Sequence, residues 1–427
     1  MPFSMRRVFA RWALLIAVSA AAACSSTQLE YPLWNPYARD AIERVIVENG
    51  KRAPNYTGDA RPYIVLDWDN TSIMNDCAGN LFVYQIDRLA YKLTPAEFSR
   101  VIRTGIPNLY RTFPAKHRNK AGAAVTPFQV FADVDAHYQK LAQLMKTMDA
   151  AEIKLTDVFQ DFKAKMLFLY YALDDAFGAD VSYKWAMYLF VNYTPDELRQ
   201  FATESHIHNL DLPLRAVTFA SPPEMKTRAG AVSAVHRQGV RIQLGILDLV
   251  RACERNGVDV FICTASLDEI VIAFASNPLF EYNIPRENVI GMRLQTRDGR
   301  YMAAYQQNYA FNYRKGKRDN VSELIAKSRG GRGPVIVGGD SDGDWEMLSG
   351  FGDTKTGLIL NKYREGNGIA VGAFNAARAQ RMKEPAPRYV LQGRNENTGE
   401  WALRMEVLLL GDEDDEDNYK LIQLPKK

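Results

Sequence analysis

The stretch Tyr63-Ile64-Val65-Leu66-Asp67-Trp68-Asp69-Asn70-Thr71 decides how this chain is to be read. Four apolar residues bounded by Pro62 and Asp67 suit a short, fully buried strand. Asp67 and Asp69 then fall on the strand-to-loop junction, two residues apart, where both carboxylates can face one cavity. One can attack an electrophile while the other gives or takes a proton. The D-x-D pattern by itself is also that of an ordinary Asp/Asn-rich turn, so its meaning depends on what the rest of the chain brings to the same place.

Upstream, Asn35 caps a helix with Pro36 at its first position and Gly50 at its end. Downstream, the pattern from Leu81 to about Val235 is mostly helical. Thr94-Pro95-Ala96-Glu97 and Thr194-Pro195-Asp196-Glu197 read as capping boxes, and Pro127–Thr147 and Leu155–Phe177 as long helices. After that, helix and strand alternate. Helix Ile246–Arg255 leads to strand Val258–Cys263, helix Leu267–Ala275 to strand Asn288–Leu294, and a helix from about Asp319 to Lys327 to strand Pro334–Val337. A hairpin turn at Asp298-Gly299 and a strand at Gly357–Leu360 complete the pattern. Alternation of this kind implies a parallel sheet, whose strand C-termini form one crevice.

Three further signals fall on that edge. Gly339-Asp340-Ser341-Asp342-Gly343-Asp344 follows an apolar strand and offers carboxylate oxygens suited to Mg²⁺. Thr264, in Cys263-Thr264-Ala265-Ser266, ends a strand, and its hydroxyl and the amides that follow, from Ala265 on, can hold an anion at a helix N-terminus. Lys317 lies just before a helix, where its charge can balance a phosphate; Lys315 is the alternative for that role.

The order D-x-D-x-T, strand-borne Thr, Lys, then G-D-x-x-x-D resembles the haloacid dehalogenase superfamily of phosphohydrolases. The resemblance implies a Rossmann-like parallel-sheet α/β core with a large helical cap inserted between the first two motifs. It makes Asp67 the nucleophile and Asp69 the general acid and base. It gives Mg²⁺ to Asp67, the main-chain carbonyl of Asp69, and Asp340, with Asp344 as a further partner and Asp342 as the alternative. Phosphate contacts fall to Trp68, Thr71, Thr264, Ala265 and Lys317. Asp67-Trp68-Asp69-Asn70-Thr71-Ser72, Asn277-Pro278-Leu279, Tyr282-Asn283 and Pro285-Arg286-Glu287-Asn288-Val289-Ile290-Gly291 are also similar to the bacterial phosphorylcholine phosphatase group. One departure stands out. Cys77-Ala78-Gly79-Asn80 occupies the place where acidic residues are expected, leaving Asp76 as the nearest carboxylate. The cap segment is rich in aromatics, including Tyr170, Tyr171, Tyr183, Trp185, Tyr188 and Tyr193, which read as lid packing or as a cation cage. His206 and His208 read as surface histidines, and Gln392-Gly393-Arg394 looks ordered without an evident role.

Composition narrows the function classes. The chain has 427 residues, 53 Lys+Arg and 50 Asp+Glu, for a formal charge of +3. Residues 1–23 hold Arg6, Arg7 and Arg11 and no other charged residue, so 53 less these three leaves 50 basic against 50 acidic residues from Cys24 onward. No whole-protein basic field remains to draw nucleic acid, which is excluded as a partner. The arginines precede an apolar run, Trp12 to Ala23, that is too short to span a bilayer and is followed by Cys24. Small residues before a Cys resemble a bacterial lipobox. That implies a signal peptide over 1–23, lipidation at Cys24, and an exported protein in the periplasm or cell envelope, anchored to the membrane by lipid; Ala21-Ala22-Ala23 also reads as an A-x-A cleavage site, which would give a soluble secreted protein instead.

The expected layout is a tether and helix over 24–60, an α/β core over 61–80 and 236–385, a cap over 81–235 and a C-terminal segment over 386–427. The expected function is a Mg²⁺-dependent phosphomonoesterase acting on a small phosphorylated substrate. The alternatives are a phosphoserine-type or broad-specificity phosphatase, and a catalytically silent lipoprotein that binds a phosphorylated ligand.

Overall fold

The computed structural model describes residues 28–364 and 367–422. The leader and Cys24 lie outside the described residues.

Seven strands form the main sheet: β1 (Tyr63–Leu66), β2 (Asp259–Leu267), β3 (Val289–Met292), β4 (Ile336–Gly339), β5 (Thr356–Leu360), β6 (Tyr389–Arg394) and β7 (Trp401–Ala402). Their order is β7-β6-β5-β4-β1-β2-β3, parallel except for the β6–β7 pair. The chain winds one way from β1 to β3 and the other way from β4 to β6, so the order reverses between β1 and β4. That reversal is where a doubly wound sheet opens a ligand crevice. The fold class is thus the expected one, a parallel-sheet α/β core.

Each inner strand is buried on both faces, which is why its sequence is apolar without alternation. Ile64 and Leu66 join one core with Val260, Ile262 and Ile336, while Tyr63 and Val65 join another with Phe261, Val337 and Ile359. The first core takes in the helices Pro36–Asn49, Leu244–Arg255 and Asp268–Ala275; the second takes in Gly368–Arg381. Between β1 and β2 the chain forms eight α-helices, the last of them Leu244–Arg255, and a hairpin. Both Thr-Pro capping boxes form, at Pro95–Val101 and Pro195–Asp211, as does the Asn35 cap of Pro36–Asn49.

The elements depart from expectation in a few places. The segment from Leu81 to Val235 is not helical to its end. Arg215–Ala220 and Ser233–Gln238 pair antiparallel, Arg215 facing Gln238. Pro213 stops the preceding helix, but a 12-residue connection carries no tight-turn signature that would reveal the hairpin. β2 runs on to Leu267, through an irregularity between Cys263 and Leu267, so Thr264 lies within the strand and the helix starts only at Asp268. Helix Lys315–Val321 begins earlier than expected, and Lys317 sits inside its first turn. His206 is buried rather than superficial: its Nε2 lies 2.9 Å from the Ile270 carbonyl, and burial lowers its pKa to about 4. His208 is exposed. Cys77, Cys253 and Cys263 are buried free thiols. Among the described residues, no helix is long and apolar enough to cross a membrane.

Candidate active site

The ends of β1, β2 and β4 bring the motifs together. Asp67 follows β1 directly, and its amide donates to Gly338 O on β4 at 2.9 Å. Asp340 follows β4. Asp344 lies four residues on, pressed against the strand end: a Cβ at Gly339 would meet the Asp344 Cβ at 2.6 Å, so only glycine permits this approach. The same holds at Gly316, where a Cβ would meet the Phe311 carbonyl oxygen at 1.8 Å; this close passage lets the next residue, Lys317, enter the crevice.

Asp67, Asp340 and Asp344 are all buried, each offering a carboxylate oxygen within 4.8 Å of the others. Lys317 Nζ reaches Asp67 Oδ1 at 2.5 Å and Asp344 Oδ1 at 2.7 Å. Lys315 is not in the site. Its side chain is largely exposed and pairs with Asp319 on the same helix. Asp342 is also elsewhere, because its carboxylate accepts from the amides of Asn367, Gly368 and Ile369 and so caps the helix Gly368–Arg381. Asp344 Oδ2 accepts from the amides of Asp340 and Ser341 and from Ser341 Oγ, which holds the loop closed around it. Arg364 Nη2 lies 3.1 Å from Asp340 Oδ2, an ion pair without hydrogen-bond alignment, for that buried oxygen has no hydrogen-bond donor.

Burial pushes the Asp67 carboxyl well above the usual range, and the neighbouring Asp344 adds to this against the pull of Lys317. Burial works against the Lys317 ammonium, but Asp344 and Asp67 outweigh it and hold its pKa well above normal. Three crowded carboxylates with one unsatisfied oxygen suit a hard divalent cation.

Asp69 occupies a different environment in the same cavity. Its Oδ1 accepts from the Cys77 amide at 2.7 Å, at the start of helix Cys77–Asp87, and its Oδ2 accepts from Ser266 Oγ at 2.7 Å. Burial raises its pKa to about 7, with the Asp76 charge adding and the Ser266 and Cys77 bonds opposing. Two carboxylates two residues apart are therefore held differently, one against a cation and one as a near-neutral acid, which is the pattern of divided acid–base labour.

Other expected residues sit less directly. Thr264 and Ala265 line the cavity, and Thr264 Oγ1 accepts from the Ser266 amide. Since β2 continues past it, no helix N-terminus stands behind Thr264. The Thr71 side chain does not line the cavity; its hydroxyl donates to Asp67 Oδ2 at 3.3 Å and positions that carboxylate. The Trp68 indole is fully buried and packs edge-on against Phe274 and Tyr282, away from the crevice, so only its backbone remains near the site. The cavity, of about 140 Å³, is lined both by these carboxylates and by the aromatic rings of Phe82, Tyr170, Tyr183, Phe190 and Tyr313. Of the aromatics singled out in the sequence, Tyr170 and Tyr183 line it, while Trp185 and Tyr193 spend their polar atoms on the carbonyls of Ile102 and Ala90. Asp76 also lines it, but its carboxylate caps helix Cys77–Asp87 through the Gly79 amide. Ser266, Ser341 and Arg364 belong to the site and were not assigned from sequence. Ser266 stood within a motif already quoted, whereas Arg364 follows a short loop with no pattern of its own.

No protein-family model matches the chain. A solved structure of a conserved, functionally unknown protein from Anaerococcus prevotii DSM 20548 matches with a TM-score of 0.82 and 30% identity, covering 91% of this chain and 100% of that one. This chain belongs to the same family as that protein. A phosphorylcholine phosphatase from Pseudomonas aeruginosa is 25% identical over 247 residues, 50% of this chain. The match spans 66% of that enzyme's length, just under two thirds. A phosphoserine phosphohydrolase-like protein from Francisella tularensis is more distant, at 14% identity and a TM-score of 0.32 over 70% of this chain and 87% of that one, and carries no weight here.

Proposed function

We propose that the protein is a phosphomonoesterase that works through an aspartyl-phosphate on Asp67. The observation that carries this reading is the pairing of Asp67, held by Lys317, with the differently poised Asp69 in one cavity at the sheet's reversal point. An Asp67 oxygen attacks phosphorus and the ester P–O bond breaks, with the leaving oxygen taking its proton from Asp69. The Asp69 carboxylate then takes a proton from water, whose oxygen attacks phosphorus, releasing phosphate and freeing Asp67. Lys317 offsets charge on Asp67 and the phosphoryl oxygens, and Thr264 and Ala265 border the position they occupy. Asp67, Asp340 and Asp344 would hold Mg²⁺, which supplies charge neutralisation on the phosphoryl group. The helical segment over the crevice serves as a cap that excludes bulk water.

A small cavity restricts the substrate to a compact alcohol phosphate. Its aromatic lining and the similarity to a phosphorylcholine phosphatase favour an apolar or cationic alcohol, phosphorylcholine among them; phosphoserine is the second candidate. A silent binding protein has no use for an acid–base group, and Asp69 argues against that reading. We also propose that the chain is exported and lipid-anchored at Cys24, which a Cys24→Ser variant tests by loss from the membrane fraction.

A panel of small phosphomonoesters with Mg²⁺, phosphorylcholine and phosphoserine included, is the direct test; no phosphate release from any member would overturn the proposal. The same assay reads Asp69. The acid must be protonated to serve the leaving group, so kcat should fall as pH rises through about 7. Asp69→Asn should lower kcat by about 100- to 1,000-fold with little change in KM and abolish that limb. An unchanged kcat would remove Asp69 from the mechanism.

A further inference from the structure

Gln392-Gly393-Arg394 acquires a role once its contacts are followed. Gln392 Oε1 accepts from the Asn35 amide at 2.7 Å and fixes the start of the first helix. Gly393 lies so close to the following chain that a Cβ would meet Glu406 O at 2.1 Å. Arg394 is the unusual member. It ends β6, three strands away from β1, and its side chain is completely buried. Its Nη1 donates to the carbonyl of Asn70 at 2.8 Å, and its Nη2 to Glu396 Oε1 at 3.0 Å.

Asn70 is the residue directly after Asp69, and its backbone is left-handed, with φ of 64°. Its amide donates to Asn75 O, and Asn75 is left-handed too, with φ of 65°. The loop between Asp69 and Cys77 is therefore strained at two non-glycine positions and stays so only if its surroundings hold it. Cys77 in turn supplies the amide that holds Asp69 Oδ1. Arg394 grips this loop from behind. Glu396, also fully buried, passes the connection on, for its Oε2 accepts from Arg237 Nη1 at 2.7 Å, and Arg237 lies on the hairpin strand Ser233–Gln238 that leads out of the cap segment. Burying a guanidinium and a carboxylate is expensive unless each is paired, and a hydrophobic pair of equal volume would serve packing alone as well.

We propose that Arg394 and Glu396 are positioning residues that set the Asp69-bearing loop and register the cap hairpin against it. This rests on the phosphatase reading for its kinetic consequence, but not for its structural one. Arg394 acts through Asn70 on Asp69, and Glu396 acts through Arg237 on the cap hairpin, so the two arms have separable signatures.

The test uses Arg394→Met, Arg394→Lys and Arg237→Met in the full chain. Arg394→Met should lower kcat by about 10- to 100-fold with KM within about twofold, as expected for a displaced catalytic group. Arg394→Lys, which keeps a donor toward Asn70 O, should recover much of that loss. Arg237→Met should instead raise KM by several-fold and leave kcat nearly intact. Hydrogen exchange supplies a readout independent of activity: peptides spanning 69–80 should exchange about tenfold faster in Arg394→Met, with β2 unchanged. Normal exchange and kcat in folded Arg394→Met would overturn the proposal, as would a kcat loss with no recovery in Arg394→Lys. If Arg394→Met does not fold, Arg394→Lys and Arg237→Met decide by the same exchange and kinetic criteria. Accelerated exchange together with an inactive wild type would leave the positioning role standing and overturn the phosphatase reading alone.

Discussion

Asp67→Asn should yield a folded protein that releases essentially no phosphate. The amide is nearly isosteric with the carboxylate and can still accept from Thr71 Oγ1, the bond seen at 3.3 Å in the native site. Lys317 does not lose its only partner, because Asp344 Oδ1 remains 2.7 Å away. Burial and the nearby Asp344 already disfavour the charge on Asp67, so its removal relieves repulsion rather than creating an orphan. The melting temperature should therefore stay within a few degrees of wild type or rise. Activity follows a different logic. A neutral amide cannot form the aspartyl-phosphate, and losing a nucleophile costs at least about 1,000-fold in kcat, since only binding and electrostatic stabilisation remain. Phosphate release measured beside a thermal melt separates the two effects. Retention of more than a few per cent of wild-type kcat in a folded variant would mean that Asp67 is not the nucleophile.

How much of this site could be read from sequence depends on how local each signal was. Asp67 and Asp340 were legible because each follows a continuous apolar strand, and strands buried on both faces advertise themselves in four residues. That the two meet followed from parallel-sheet topology alone. Lys317 was placed at the right edge but in the wrong local setting, since a helix starting with Lys315-Gly316-Lys317 has no capping side chain to announce it. The choice between Lys317 and Lys315 was one of helical phase: two residues apart on a helix point to different sides, one into the crevice and one to solvent. Asp342 and Asp344 differ in the same way, one capping a following helix and the other facing inward. The hairpin Arg215–Ala220/Ser233–Gln238 and the Arg394–Asn70 bond were not legible, because each joins residues far apart in the chain with no composition cue at either end.

Lys317→Met should be the most damaging single substitution for stability in the crevice. The ammonium is nearly inaccessible, with its side chain 3% exposed, and it is the cation shared by Asp67 and Asp344. Methionine fills much of the volume, so packing is largely preserved and the loss is electrostatic. Two buried carboxylates are left facing each other beside Asp340, and breaking a buried pair in this way costs about 3–5 kcal/mol. The pH dependence follows from the sign of the shift. Burial and Asp344 already hold the Asp67 carboxyl above its unfolded range against the pull of Lys317, so without the lysine the native state holds more protons there than the unfolded chain. Stability must then fall as pH rises from the ordinary Asp range toward that raised range, and the variant's deficit should be smaller at pH 5 than at pH 8. Mg²⁺ should recover part of the deficit by taking over the neutralising charge, with a rise in melting temperature larger than in wild type. Phosphate release should not return with it, because under the proposed mechanism a cation on the carboxylates does not take over the role of Lys317 toward the phosphoryl oxygens. Thermal melts at the two pH values, with and without Mg²⁺, read all three effects. A variant that melts with wild type at pH 8 would show that the carboxylates do not depend on Lys317, and the electrostatic account of the crevice would fail with it.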